Sequence, residues 1–503
     1  MTRHPADSDG LPADAPAAPA RRRAWLAPAV ALVAAFALRL PFMNAGLFHH
    51  DEVQLARAVE GSYQAGRVLQ AVKGRYGAVL LDLAMYAPYH AATGRSAERV
   101  VPFAGIATGA LLVALMVLLG RELAGDGLAG ALAGAFTFGS AIFLTSSSTG
   151  KENVPQTAFV ALALWLFARG AARPSAALRV AGAAAFGFAL TIHEGGALLA
   201  PPVAFGVAAL DFHHRRGWKA AALDLALLAA SVAPAMGLSI WNEVRRNLMV
   251  PGPNSATFLG LLSPLLPGAL RDAAVGLGAP ALALAAVGAV AAVASRSQAP
   301  LRALLPWPAV ILYFGNVSSY TPRYLLSILP PVAMLAGAGG ALLLRRWIPR
   351  RPWLAGAALA ALASAPGLAT AYPLLAARAA HSGPKAMALL VRDRTEPDAI
   401  VLCQDDSPFL EYYAPGRTLL KNPVGDAYAT ATFVHDLGER ARRGARVYAG
   451  SYAFTYDPND LFRRLVDGAF VRVPVGEVVN ELFYRPELAD VSFRDVLYRL
   501  EPR

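Results

Sequence analysis

Apolar runs long enough to cross a bilayer recur from residue 24 to residue 372, and no soluble architecture absorbs so many of them. Segmented at about 20 helical residues per span, they fall near 24–42, 100–119, 127–145, 153–169, 180–193, 196–210, 220–240, 274–294, 303–316, 324–343 and 353–372. A polytopic α-helical membrane protein with about eleven transmembrane helices is expected. Composition agrees, because 56% of the 503 residues are hydrophobic and only 16% charged, whereas charged residues make up about a quarter of soluble domains.

The formal net charge of +12 is not that of a nucleic-acid surface. Many basic residues sit in short clusters between the apolar runs: Arg21 to Arg23, Arg169 to Arg179, Arg215-Arg216 with Lys219, Arg296 to Arg302 and Arg345 to Arg351. That distribution predicts a cytoplasmic N-terminus in a multi-pass plasma (inner) membrane protein, and no nucleic-acid partner. Residues 1–23 are Ala-, Pro- and Asp-rich and read as a disordered cytoplasmic tail. Ala35-Phe-Ala37 mimics a signal-peptidase site, so a cleaved signal is the alternative for the first span. The single cysteine, Cys403, excludes an internal disulfide and a multi-cysteine metal site.

With odd parity, the first loop (43–99), the connections after spans three, five, seven and nine, and the whole of 374–503 share the non-cytoplasmic side. The last segment alternates helical pattern at Pro384 to Arg394, an apolar strand at Ala399 to Cys403, a helical turn at Ser407 to Tyr413 and a strand at Ala445 to Gly450. A small α/β domain on the non-cytoplasmic face is expected there. It has no Gly-rich phosphate loop, and no cofactor is expected.

The chemistry falls on that same side. Asp51 and Glu52 open a helix just beyond the first span, at its positive end. As a capping pair they would contribute about 0.5–2 kcal/mol and no function; as a catalytic pair they would supply an ionised carboxylate to accept a proton from a hydroxyl. Arg75 and Tyr76 with Lys73 lie in the same loop, Lys151 and Glu152 follow span three, and Arg323 and Tyr324 precede span ten. His193-Glu194-Gly195-Gly196 breaks the apolar run between residues 180 and 210, which marks a pocket, since irregular backbone at membrane depth must line a cavity or pack in protein. No spacing comparable to a zinc site is present, so no metal is proposed, although His49 and His50 beside the acids keep the question open.

The segments "ALRLPFMNAGLFHHDEVQLARAVE", "KGRYGAVLLDLAMYAPYHAATGRSAERVVP" and "TPRYLLSILPPVAMLAGAGG" resemble the polytopic glycosyltransferases of the C superfamily. The similar branches are the protein O-mannosyltransferase-like, aminoarabinose-transferase-like and lipopolysaccharide galacturonosyltransferase-like enzymes. The resemblance implies inverting transfer of a sugar from a polyprenyl-phosphate donor to an acceptor hydroxyl on an envelope lipid, glycan or protein at the outer face of the membrane. It places the family's first-loop acid on Asp51, its neighbour on Glu52, the acid after span three on Glu152, the first-loop lysine on Lys73 and the basic residue before the "RYLL" span on Arg323. Gly74-Arg75-Tyr76 replaces the prolines that usually follow the lysine, and His193-Glu194 stands where relatives commonly carry a lysine. Asp51 is then the base, Glu52 and Glu152 orient sugar or acceptor, and Lys73, Arg75 and Arg323 meet the lipid phosphate. Tyr76, Lys151, His193, Glu194 and Tyr324 complete the substrate-binding set. A transporter and a non-catalytic scaffold in envelope glycan assembly are the rival classes.

Overall fold

The computed structural model describes residues 18–68, 75–214, 216–249, 266–314, 320–423, 426–455, 457–481, 488, 489 and 492–503. The expected tail up to residue 17, and Lys73, lie outside them. Helix α1 (Ala18–Arg39) stops at Pro41, which has no N–H for the helical ladder, and Leu40–Phe42 tighten into a 3-10 turn. The first loop is itself helical, as α2 (His50–Ala65) and α3 (Tyr76–Thr93). Each ends at a glycine in the left-handed region, Gly66 at φ 64° and Gly94 at φ 65°, a conformation that costs other residues a Cβ clash.

The bundle continues through α4 (Val100–Ala124), α5 (Gly127–Gly139), α6 (Ala141–Ser147), α7 (Asn153–Ala172), α8 (Ala176–Ile192), α9 (Ala200–His213), α10 (Gly217–Met249), α11 (Leu266–Ala273), α12 (Ala279–Ala294), α13 (Val310–Phe314), α14 (Leu329–Trp347) and α15 (Pro352–Ala380). Six helices among the described residues are long and apolar enough to span a bilayer, and α5 with α6 makes a seventh if that pair, bent by 63°, is one span. The remaining apolar runs fold as α8 with 17 residues, α9 with 14, α14 with 19, and 3-10 turns leading into α13. The expected eleven spans count apolar residues, whereas prolines and polar breaks divide several of those runs into shorter helices. The chain is an integral membrane protein of helical bundle type.

Small residues bring the bundle helices together. A methyl group on Gly288 of α12 would overlap the Leu335 carbonyl of α14, and one on Gly367 of α15 would overlap the Gly139 carbonyl of α5. Where lipid removes the hydrophobic drive between helices, such close backbone approach supplies the packing energy.

Helix α15 runs on to Ala380, past the boundary expected at residue 373. It leads into α16 (Gly383–Arg394), β1 (Ile400–Cys403), α17 (Ser407–Tyr413), β2 (Thr418–Lys421), α18 (Ala427–Arg442), β3 (Val447–Ala449), α19 (Leu461–Ala469), β4 (Phe470–Glu481) and β5 (Ser492–Pro502). The sheet order is β2-β1-β3-β5-β4, with β1 parallel to β2 and β3, and β5 antiparallel to β3 and β4. All four residues of β1 are buried because both faces are covered. Ile400 and Leu402 pack with Val434, Leu437, Phe462 and Val466 from α18 and α19. Val401 and Cys403 pack with Met387, Ala388, Phe409 and Leu410 from α16 and α17, and this second core is continuous with Leu47 and with Val53, Leu55 and Val59 of α2.

Candidate functional site

The acidic pair divides its labour. His49 is extended at the N-cap of α2, and its Nδ1 accepts the Asp51 N–H at 3.1 Å. Glu52, three residues beyond, turns back so that Oε2 accepts the Phe48 N–H, one residue before the N-cap, at 2.9 Å, a capping-box-like pair shifted by one position. The capping role is thus filled by His49 and Glu52. Burial pushes the Glu52 carboxyl up to about 7, against the opposing pull of the Lys151 ammonium.

Asp51 keeps its carboxylate for other partners. Oδ1 lies 3.3 Å from His50 Nε2, and Oδ2 lies 3.5 Å from His49 Nδ1 and 3.8 Å from Arg75 Nη1. Burial alone would raise this carboxyl, but the two imidazoles and the guanidinium outweigh it and hold Asp51 well below the usual carboxylate range. Asp51 is therefore ionised at neutral pH.

Arg75 joins the pieces. Its Nη1 is 2.8 Å from Glu152 Oε1 and its Nη2 is 3.3 Å from His193 Nε2. Arg75 and Glu152 are each 6% exposed, so the pair sits in low dielectric and fixes its geometry strongly. Glu152 reaches this point because α6 runs out into Ser148 to Gly150 just before α7. The hydroxyls of Thr145, Ser148 and Thr149 bond back to the carbonyls of Ala141, Thr145 and Ser146, satisfying backbone that the bend would otherwise strand in an apolar setting. His193 comes from the other expected break: it is the C-cap of α8, and its carbonyl accepts from the Gln156 amide.

Asp51, Arg75, Glu152 and His193 are thus in one cluster. Lys151 is buried beside it, and Arg323 reaches it electrostatically, since both charges act on the His49 imidazole. The Arg323 guanidinium lies 5.6 Å from the Tyr324 ring centroid, and Tyr76 opens α3 next to Arg75. Glu194 begins the 3-10 turn Glu194–Leu199, and its side chain lies outside the described set, as does Lys73. His49, His50 and Asp51 hold one potential ligand atom each within 4.8 Å of one another, the one such group among the described residues. A divalent cation there would compete with the N-cap bond of His49.

One acid escaped the sequence reading. Asp82, on α3, is 3% exposed, and its Oδ2 has no hydrogen-bond partner among the described residues. Burial, reinforced by the negative charge of Glu152, raises its carboxyl well above the ordinary range. The signal was a lone carboxylate in the run Gly77 to Tyr86, two helical turns from Arg75 and on the same buried face as Val79 and Tyr86.

Residues 89–241 match the family model described as dolichyl-phosphate-mannose-protein mannosyltransferase. No curated protein matches the chain in sequence. Among solved structures, ArnT from Cupriavidus metallidurans bound to undecaprenyl phosphate aligns over 96% of this chain and 98% of its own, at 16% identity and TM-score 0.61. The oligosaccharyltransferase AglB from Archaeoglobus fulgidus, in complex with an inhibitory peptide and a dolichol-phosphate, aligns over 90% of this chain and 73% of its own, at 14% identity and TM-score 0.59. The mycobacterial arabinofuranosyltransferase AftD aligns over 96% of this chain and 42% of its own, at 17% identity and TM-score 0.55. The chain has the helical membrane fold of the C-superfamily glycosyltransferases, as the resemblance in its sequence implies.

Two outcomes test the cluster. Arg75→Met strands Glu152 as an unpaired buried charge and should cost about 3–5 kcal/mol of stability in detergent unfolding, much of it regained in Arg75→Met/Glu152→Gln. Asp82 titrates higher folded than its unfolded 3.8, so the stability it contributes is complete below that value and is lost as pH rises through the folded one. Asp82→Asn should therefore raise the Tm relative to the unmodified protein progressively as the pH rises above about 4, with little difference at the acid end.

Proposed function

We propose that this protein is a membrane glycosyltransferase that moves a sugar, with inversion, from a polyprenyl-phosphate donor to an acceptor hydroxyl at the outer face of the membrane. The observation that carries this is the ionised, buried Asp51 held by Arg75 at the mouth of a broken helix. Its support is the match in fold to proteins solved with undecaprenyl phosphate and with dolichol-phosphate.

In this reaction the acceptor oxygen attacks the anomeric carbon from the face opposite the phosphate. The bond between that carbon and the phosphate oxygen breaks, and the polyprenyl phosphate leaves with the electron pair. Asp51 takes the proton from the acceptor hydroxyl as the new bond forms. Its low pKa makes it a modest base, and that suffices, because lipid phosphate is already a good leaving group and base catalysis contributes only about 10²–10⁴ in rate. Positioning contributes more. Arg75, Lys151 and Arg323, with Lys73, are the cations for the phosphate, each charge-assisted hydrogen bond contributing about 1.5–3 kcal/mol. Glu152 and His193 hold Arg75 in place, and Glu52 holds the start of α2. The N-terminus is assigned to the cytoplasm and the C-terminal domain to the opposite side, on the basic loops of the sequence.

The direct test is to incubate membranes with a panel of radiolabelled polyprenyl-phosphate sugars and follow the label. Asp51→Asn keeps shape and removes the base, so kcat should fall at least about 100-fold; a variant transferring at the unmodified rate would remove Asp51 from the mechanism. Arg323→Ala should raise the donor KM several-fold and leave that of the acceptor in place, and label that moves only from a nucleotide sugar would overturn the donor class.

A further inference from the structure

The segment Met43 to His49, between the first span and α2, is almost without regular secondary structure, yet Asn44 and Leu47 to His49 are all buried. Its backbone polar groups must therefore find partners in the protein; Phe48 and His49 find theirs at the start of α2, while Ala45 and Leu47 find theirs at the far end of the chain. The Ala45 N–H donates to the Arg378 carbonyl at 2.9 Å. The Leu47 carbonyl accepts from the Ser382 hydroxyl at 3.0 Å, and the Leu47 N–H donates to the Tyr413 hydroxyl oxygen at 3.4 Å. The Arg378 guanidinium lies 4.6 Å from the centroid of the Phe48 ring.

A second attachment holds the other side of the loop. The Tyr412 hydroxyl donates to Glu60 Oε1 at 2.7 Å, the same oxygen that accepts the Ala97 N–H at 2.7 Å. Arg57 pairs with Glu411, and Lys385 with Glu98 at 2.5 Å. Between the two attachments the apolar face of α2 shares a core with Met387, Val391, Phe409 and Leu410. Asp51 sits in that interval, and its neighbours His49, His50 and Arg75 all belong to the first loop.

We infer that the C-terminal α/β domain is a fixed bracket that positions Asp51, with Tyr413 and Ser382 as positioning residues. This rests on the proposed role of Asp51 as base. A lid that opens would have to expose a continuous apolar core and strand buried backbone groups, whereas a bracket exploits both. The bracket acts through geometry alone: a displacement of about 1 Å at a reacting group costs about 100-fold in rate.

The test uses the full-length protein carrying Ser382→Ala and Tyr413→Phe together, which remove two hydroxyls and little volume. Amide hydrogen exchange at Leu47 to Val53 should quicken about ten-fold, with α4 and α5 unchanged. The kcat for sugar transfer should fall about ten-fold or more with the donor KM within about two-fold. Ser382→Thr, which keeps the hydroxyl, should match the unmodified protein. On an Asp51→Asn background the same two substitutions should lower kcat by less than about two-fold further, because they act through that carboxylate. Unchanged exchange overturns the bracket whether or not the protein transfers sugar. Faster exchange with unchanged kcat, or an undiminished loss on the Asp51→Asn background, overturns its action on Asp51. Absence of transfer by the unmodified protein overturns the proposed function and, with it, the inference.

Discussion

A guanidinium shut away from water must be answered by anions, and this requirement at Arg75 organises the whole cluster. Glu152 answers it from the start of α7, Asp51 from the start of α2, and His193 adds its ring nitrogen from the end of α8. The start of α2 is thereby fixed to the start of α7 and the end of α8, helices well downstream in the sequence. The arrangement costs desolvation on every member, and the gain is that each charge has a defined place before any substrate arrives.

The same economy explains the irregular backbone around it. Membrane proteins tolerate broken helices where protein surrounds the break, and here both breaks are lined by groups that satisfy them. The hydroxyls between Thr145 and Thr149 return to their own turn, while the His193 carbonyl is met by Gln156. Gly105 allows α4 to lie against the Thr149 carbonyl, and a side chain there would push the Glu152 segment away.

Much of this was legible in the sequence because it rests on local signals. Pro41 announced the end of α1, and a short continuous apolar run announced β1, buried at all four positions. The interruption at His193 drew attention to the end of α8, where the imidazole meets Arg75. What the sequence could not apportion was the acidic pair: two adjacent carboxylates are equivalent as letters, and only the path of the chain turns Glu52 inward to cap and leaves Asp51 to the cations. Asp82 was passed over for the opposite reason, since a single acid in an apolar helix carries no spacing pattern. The eleven spans read from hydropathy measure apolar content, while six of the described helices are long and apolar enough to cross, because helix length depends on where polar and proline residues interrupt the ladder. Strands β4 and β5 went unread, their alternation interrupted by Pro474, Gly476 and a register shift.

The bonds from Leu47 to Tyr413 and Ser382 join residues 366 and 335 positions apart. During synthesis, the first loop emerges from the bilayer long before either partner exists. Helix α2 then has an apolar flank with nothing to rest on, and the acid it presents has no settled place. The long-range contacts that complete it are the slowest kind to form. Nascent chains that stop short of residue 413 can insert their helices in order and still lack the hydroxyls that hold the first loop in place.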